Sequence, residues 1–216
     1  MTVVDSLQAL RTLGSAPVLH STLASLLKDY KTPNNKIARW LGEGVLLPVK
    51  RGVYVVAPHV SGAPVERMIV ANLLYGPSYV SMDYALWHYG LIPEQVTEVT
   101  SVTTRRTKII QGGLGRFSYQ RMPDALYPIG VDSVMLGGGL YGLLAGPAKA
   151  LCDRLVLSPN LRVHSVASMQ RLLVEDLRFD MEEAAMLDLQ VIDACAATGH
   201  KTELLKYLKG AIAQWQ

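Results

Sequence analysis

The stretch from Thr32 to Val56 constrains the fold more than any other part of the chain. Thr32-Pro33 is a helix start, because Thr can cover the exposed amides of a first turn and a proline at the first helical position has its φ already set. Ile37, Trp40 and Leu41 then recur at helical spacing up to about Glu43, and Gly44 supplies a left-handed stop. Two runs rich in β-branched residues follow, Val45 to Val49 and Gly52 to Val56, around Pro48, Lys50, Arg51 and Gly52, which suits a short hairpin. Two further helical patterns come earlier. One carries Val3, Leu7, Leu10 and Leu13 ahead of Gly14; the other carries Leu23, Leu26 and Leu27 behind Ser21 as its cap. Helix, helix, helix, hairpin predicts a winged helix-turn-helix over residues 1–58.

The distribution of charge agrees with that order. The chain of 216 residues has a formal net charge of only +3, yet residues 1–60 hold seven Lys/Arg against three Asp/Glu, and the remainder hold fourteen against fifteen. Lys28, Lys31, Lys36, Arg39, Lys50 and Arg51 face only Asp29 and Glu43. A local cationic excess of this kind fits a polyanion, and double-stranded DNA above others given the expected helices. In a helix-turn-helix the start of the last helix meets base edges, where Asn pairs with adenine and Arg or Lys with guanine. Asn34, Asn35, Lys36 and Arg39 stand there, with Thr32 just ahead, and Lys50 and Arg51 stand at the hairpin tip, suited to the phosphate backbone or the minor groove.

Ala57-Pro58-His59-Val60-Ser61-Gly62-Ala63-Pro64 lacks periodicity and is expected to be a linker. Beyond it, residues 64–216 read as an α+β domain with antiparallel strands and a helical C-terminal part. Helices are expected from Val65 to Leu74 and, capped by Ser81, from Met82 to Tyr89. Strands are expected at Glu98 to Thr103, Thr107 to Ile110, Gly115 to Arg121, Val131 to Leu136 and Leu140 to Leu144. Four more helices are expected over 148–156, 165–177, 180–197 and 202–215, with Asp180 and Glu183 at capping-box spacing and Gly199 as a stop. Arg105, Arg106, Lys108, Arg116 and Arg121 lie in a stretch without acids, which reads as a solvated sheet face, a second phosphate surface or a docking face for an acidic protein.

Other chemistries find little footing. Gly137, Gly139 and Gly142 have the dinucleotide spacing, but Gly146-Pro147 breaks the helix such a site needs, so a tight hairpin is expected and no cofactor. The five histidines show no metal-ligand spacing, and Cys152 and Cys195 sit on apolar helical faces where cysteines pack. Neither a nucleophile elbow nor a phosphate-poised carboxylate pair occurs, so no enzyme is expected. Two cysteines make no disulfide framework, Asp5 stands where a leader would be basic, and the longest uncharged stretch, residues 133–148, is too short and glycine-rich to span a membrane. A cytoplasmic protein is expected.

Three runs resemble a known family. Ile37 to Tyr54 (IARWLGEGVLLPVKRGVY) resembles the helix-to-wing segment of AbiEi-type antitoxins of bacterial type IV toxin–antitoxin systems. Tyr79 to Leu91 (YVSMDYALWHYGL) resembles that family's S-x-x-x-A-L-x-x-x-G-L segment, and Pro147 to Asp153 (PAKALCD) its later A-L-x-D helix. The resemblance implies a winged domain that represses its own operon through inverted repeats, and a C-terminal domain that counters a nucleotidyltransferase-like toxin. It places Asn34, Asn35, Lys36 and Arg39 on the DNA-facing helix and Lys50 and Arg51 on the wing. Family C-terminal domains can be longer and more basic than the near-neutral one here. Without a toxin partner, the same features describe a stand-alone regulator or a protein-interaction module.

Overall fold

A computed structural model describes residues 3–136 and 139–216, and the side chains of residues 7–136 and 139–216. It is a mixed α+β structure. The first region contains α1 (Val3–Thr12), β1 (Val18–Leu19), α2 (His20–Leu26), α3 (Pro33–Gly42), β2 (Leu46–Lys50) and β3 (Val53–Val56). The strands form an antiparallel sheet in the order β1-β3-β2. Leu10, Leu23, Leu27, Ile37, Trp40 and Leu46 pack beneath it as a small core.

Both ends of α3 fall where the local chemistry puts them: Pro33 opens it and Gly44, at φ 70°, turns the chain out. Thr32 holds the cap position without a side-chain cap bond. Ser21 does not cap α2. The chain runs directly from β1 into that helix, with the His20 amide bonded to the Gly52 carbonyl at 2.8 Å, so Leu19 becomes the cap and Ser21 lies inside the first turn.

The expected linker is partly folded. Pro58 starts a short helix, α4 (Pro58–Ser61), that Gly62 ends at φ 74°, and Val60 packs on the small core. The hairpin, too, faces both ways. Val56 belongs to the small core, while Val55, fully buried, belongs to the larger one, and Leu47 and Val49 pack against it as well. The two regions therefore meet through β2 and β3.

The larger region begins with α5 (Arg67–Leu74), β4 (Ser78–Val80), α6 (Met82–His88), β5 (Val99–Thr103), β6 (Lys108–Gly112) and β7 (Gly115–Arg121). It continues with β8 (Val131–Met135), β9 (Tyr141–Ala145), α7 (Pro147–Leu157), α8 (Val166–Arg171), α9 (Leu189–Ala197) and α10 (Thr202–Ile212). Its sheet has the order β6-β7-β5-β4-β9-β8. The expected antiparallel character holds for the hairpins, but the sheet is mixed: β5 runs parallel to β7, and β4 parallel to β9. Those parallel pairs join segments distant in sequence, which no hairpin signal reports.

β8 pairs antiparallel with β9, while Gly137, the first glycine of the dinucleotide spacing, and Gly138 lie outside the described residues. The Asn72 side chain acts as a short substitute strand there, accepting from the Leu143 amide at 2.8 Å and donating to its carbonyl at 3.2 Å. The single helix expected over 180–197 is two pieces. A 3-10 segment, Met181–Met186, ends where Leu187 turns inward to 2% exposure, and Asp188 then caps α9 through the Gln190 amide. Asp180 accepts from the Glu182 amide, so the capping box with Glu183 does not form. Ser165 and Ser168 make a reciprocal box at the start of α8, which passes into a π turn over Leu172–Asp176.

Candidate nucleic-acid interface

The amphipathic pattern of α3 turns Ile37 and Trp40 into the small core and leaves Asn34, Asn35 and Arg39 in solvent, with Thr32 exposed just before them. Lys36 folds back instead, its ammonium 5.2 Å from the Trp40 ring and 5.8 Å from the Tyr30 ring. Arg39 Nε donates to Glu43 Oε1 at 2.7 Å, one turn along the same helix, and that bond raises the guanidinium pKa further. The set expected to face DNA is thus not uniform: two asparagines stand clear, one lysine lies over aromatic faces and one arginine carries an acid partner.

Neither does the hairpin tip extend freely. Lys50 Nζ donates to the Leu73 carbonyl near the end of α5, while Arg51 is exposed beside it. Two residues past Leu73, Tyr75 gathers the basic stretch of the larger region. Its hydroxyl donates to the Arg106 carbonyl at 3.2 Å, and Arg105 and Lys108 lie 5.8 and 5.0 Å from its ring. Arg121 joins that end of the sheet, since it pairs with Thr103 across the ladder and its amide bonds Thr107 Oγ1. The fold thereby gathers Arg105, Arg106 and Lys108 about Tyr75, two residues past the carbonyl that Lys50 meets, with Arg121 at the same end of the sheet. Arg116 is excluded. It stands five residues back along β7, about 17 Å at strand rise, and is paired with Glu98 at 2.8 Å.

A second polar cluster escaped the reading of residue patterns. Lys149 and Asp153, four apart on α7, are fully buried and bonded at 2.9 Å. Lys149 Nζ also donates to the Leu126 carbonyl at 2.6 Å, while Asp153 Oδ2 accepts from Ser81 Oγ at 2.7 Å and from the Tyr79 hydroxyl at 3.0 Å. Burial pushes the Asp153 carboxyl above its usual range, opposed by Lys149, Ser81 and Tyr79; burial also drives the Tyr79 phenol far upward. With Ser81 and Lys149 at 0% and Asp153 and Tyr79 at 1% exposure, no substrate reaches these groups. They weld α7 to the β4–α6 junction. The visible signal was a lysine and an aspartate at helical spacing inside an otherwise apolar face.

Because Ser81 is turned to Asp153, it does not cap α6, although it holds the cap position. Thr100 substitutes, its Oγ1 donating to the Ser81 carbonyl at 2.6 Å and accepting from the Tyr84 amide at 3.1 Å. Met82, the first residue of α6, sits at φ 57°, a left-handed conformation costly for a side chain and held here by the bonds on either side. Above the weld, Arg154 Nε bridges to Asp83 Oδ1 at 2.7 Å. Cys152 and Cys195 are both free and buried between α7 and α9, as packing cysteines are.

Among the described residues no three His, Cys, Asp or Glu side chains converge as a metal site, and no helix is long and apolar enough to cross a membrane. No protein-family model matches the chain, and no curated protein matches it in sequence.

Proposed function

We propose that the chain is a DNA-binding regulator whose first 58 residues are a winged helix-turn-helix, with α3 as the recognition helix and the β2–β3 hairpin as the wing. The observation that carries this reading is the joining of two basic surfaces. The exposed start of α3 and the tip residue Arg51 belong to one region, and in the other Arg105, Arg106 and Lys108 gather about Tyr75, two residues past the Leu73 carbonyl that holds Lys50, with Arg121 at the same end of the sheet. Asn34 and Asn35 supply base-reading groups, and the arginines and lysines supply phosphate contacts that fix orientation. In this reading the larger region extends the phosphate-gripping surface beyond a small winged domain, and its contacts with Lys50 and Val55 set the spacing between the two grips.

In the toxin–antitoxin setting that the three family-like runs suggest, the regulator represses its own operon through inverted repeats and acts in a cytoplasmic type IV pair. It then counters a nucleotidyltransferase-like toxin through the larger region. Two of those runs meet in the buried Tyr79–Ser81–Lys149–Asp153 weld, so their shared residue types support a common scaffold rather than a catalytic centre.

Mobility shift on the upstream operator DNA tests the reading. With about four phosphate contacts the log–log salt slope is near −4, so a fourfold rise in salt weakens binding by roughly two orders of magnitude. The double variant R51A/R105A lowers the slope by about two and weakens binding to all sequences alike, whereas N34A/N35A removes the preference for operator over random DNA. Binding indifferent to salt and to both double variants rejects the assignment. Growth rescue on co-expression with the adjacent toxin, lost when the larger region is deleted, tests the antitoxin half.

A further inference from the structure

The larger region also contains a cleft that DNA binding does not use. It has a volume of about 440 Å³ and lies between the start of α5, the length of α6 and the β8–β9 hairpin. That size falls within the range of small-molecule sites. Tyr84, Trp87 and Tyr89 of α6 and its C-terminal turn supply an aromatic wall, Met68 the floor, and Met135, two-thirds exposed, the rim. Tyr84 and Trp87 meet edge to face at 5.4 Å, which holds the two rings in a fixed mutual orientation.

One carboxylate, Glu66, and one imidazole, His88, line this cleft. Glu66 makes no ion pair among those the described residues form. Its sequence neighbour Arg67 forms no ion pair with it and does not line the cleft. The Arg67 guanidinium is laid over the Phe117 ring at 5.5 Å, against Gly115, where an added Cβ would come within 2.7 Å of it. An unpaired carboxylate beside aromatic rings selects positive charge on an apolar body, since ring faces attract cations and the acid adds directional attraction. A ligand there would also cover the exposed Met135 thioether, which packs favourably on aromatic surfaces.

We propose that this cleft binds a small organic cation with an aromatic or branched alkyl body, held by the ring wall of α6 with Glu66 as its counter-charge. The site is independent of the DNA-facing surface, so it stands or falls apart from the proposed regulator function.

Titration calorimetry on the full chain without DNA provides the test, with benzyltriethylammonium as the probe cation and phenylacetate as an anion of similar aromatic body. Expected results are saturable binding of the cation, at least about tenfold weaker binding of the anion, and about tenfold loss of cation affinity in E66Q, a factor that corresponds to roughly 1.4 kcal/mol. Met135→Lys, at an exposed rim position, abolishes cation binding by placing a like charge at the mouth, and its unchanged melting temperature certifies the fold. Equal affinity for cation and anion, no cation binding at ten millimolar or below, or cation binding untouched by both E66Q and M135K overturns the proposal.

Discussion

Two ion pairs in this protein have the same local description and opposite surroundings. Arg39–Glu43 on α3 and Lys149–Asp153 on α7 each join a base to an acid four residues further along, at 2.7 and 2.9 Å. Both run in the direction that the helix dipole favours less, so neither is explained by helix propensity alone. The side chains of the first are 70% and 44% exposed; those of the second are 0% and 1% exposed. Water screens the first and leaves it nearly neutral for stability. The second has lost its hydration, and its partners now compensate one another along with Ser81, Tyr79 and the Leu126 carbonyl. Equal spacing therefore says nothing about energetic weight; packing decides it.

The sharpest way to break this comparison is to remove one member of each pair. K149M or D153A is expected to destabilise the protein by about 3 to 5 kcal/mol, because a buried charge is left uncompensated, whereas K149M/D153L costs less than either single change. Urea denaturation monitored by circular dichroism measures both, and a double variant as unstable as the singles would remove the charge argument.

Acid should separate the two single variants. The Asp153 carboxyl is raised by burial, so the folded state holds its proton more firmly than the unfolded chain does. This group's contribution is present below the ordinary aspartate range and is lost as pH rises through the raised value. In K149M, acidification lets Asp153 become neutral, and the stability deficit against wild type narrows as pH falls. In D153A the stranded group is Lys149, and acid gives no such relief. Parallel melting curves across that range would contradict the sign.

Smaller effects are expected at the edges of the weld. Ser81→Ala and Tyr79→Phe each leave Asp153 one donor short and should cost about 1 to 3 kcal/mol, with the double change falling short of the sum because both donors serve one oxygen. The exposed pair gives the least response in stability. Glu43→Gln should leave the melting temperature unchanged within error, yet it releases Arg39 and steepens the salt slope of DNA binding by about one. A shift in melting without a change in slope would place Arg39 in the fold rather than at the interface.

Much of the first region was legible because its signals are local. Pro33 fixes a φ, Gly44 adopts a left-handed turn at small cost, and Ile37 and Trp40 repeat at helical spacing, so α3 and its exposed face follow from neighbours in sequence. The segment after Val56 was less legible. Pro58 and Gly62 read as breakers, but they are the opening and closing residues of α4, and only packing of Val60 on the small core distinguishes those roles. Ser21 and Ser81 resemble caps for the same local reason and lose that bond to circumstances set elsewhere, a strand running straight into α2 in one case and the Asp153 carboxylate in the other. The two-helix character of 180–197 was also hidden, because the inward turn of Leu187 depends on a core that its neighbours do not define.

The five basic residues from Arg105 to Arg121 show the same division. Their sequence identifies a cationic stretch; the ladder register and Tyr75 decide that four of them gather at one end of the sheet and that Arg116 does not. By itself the sequence determined α3 and the hairpin after it, the excess of positive charge in the first 60 residues and the exposed face of α3, since each follows from spacing, φ preference and charge along the chain. Tertiary structure alone decided which lysine is solvated and which is buried, that the β2–β3 hairpin is attached to the larger region, and that Tyr79, Ser81, Lys149 and Asp153 share one site. Those outcomes depend on contacts between residues tens of positions apart, where water is excluded and each polar group must find its partner in another element.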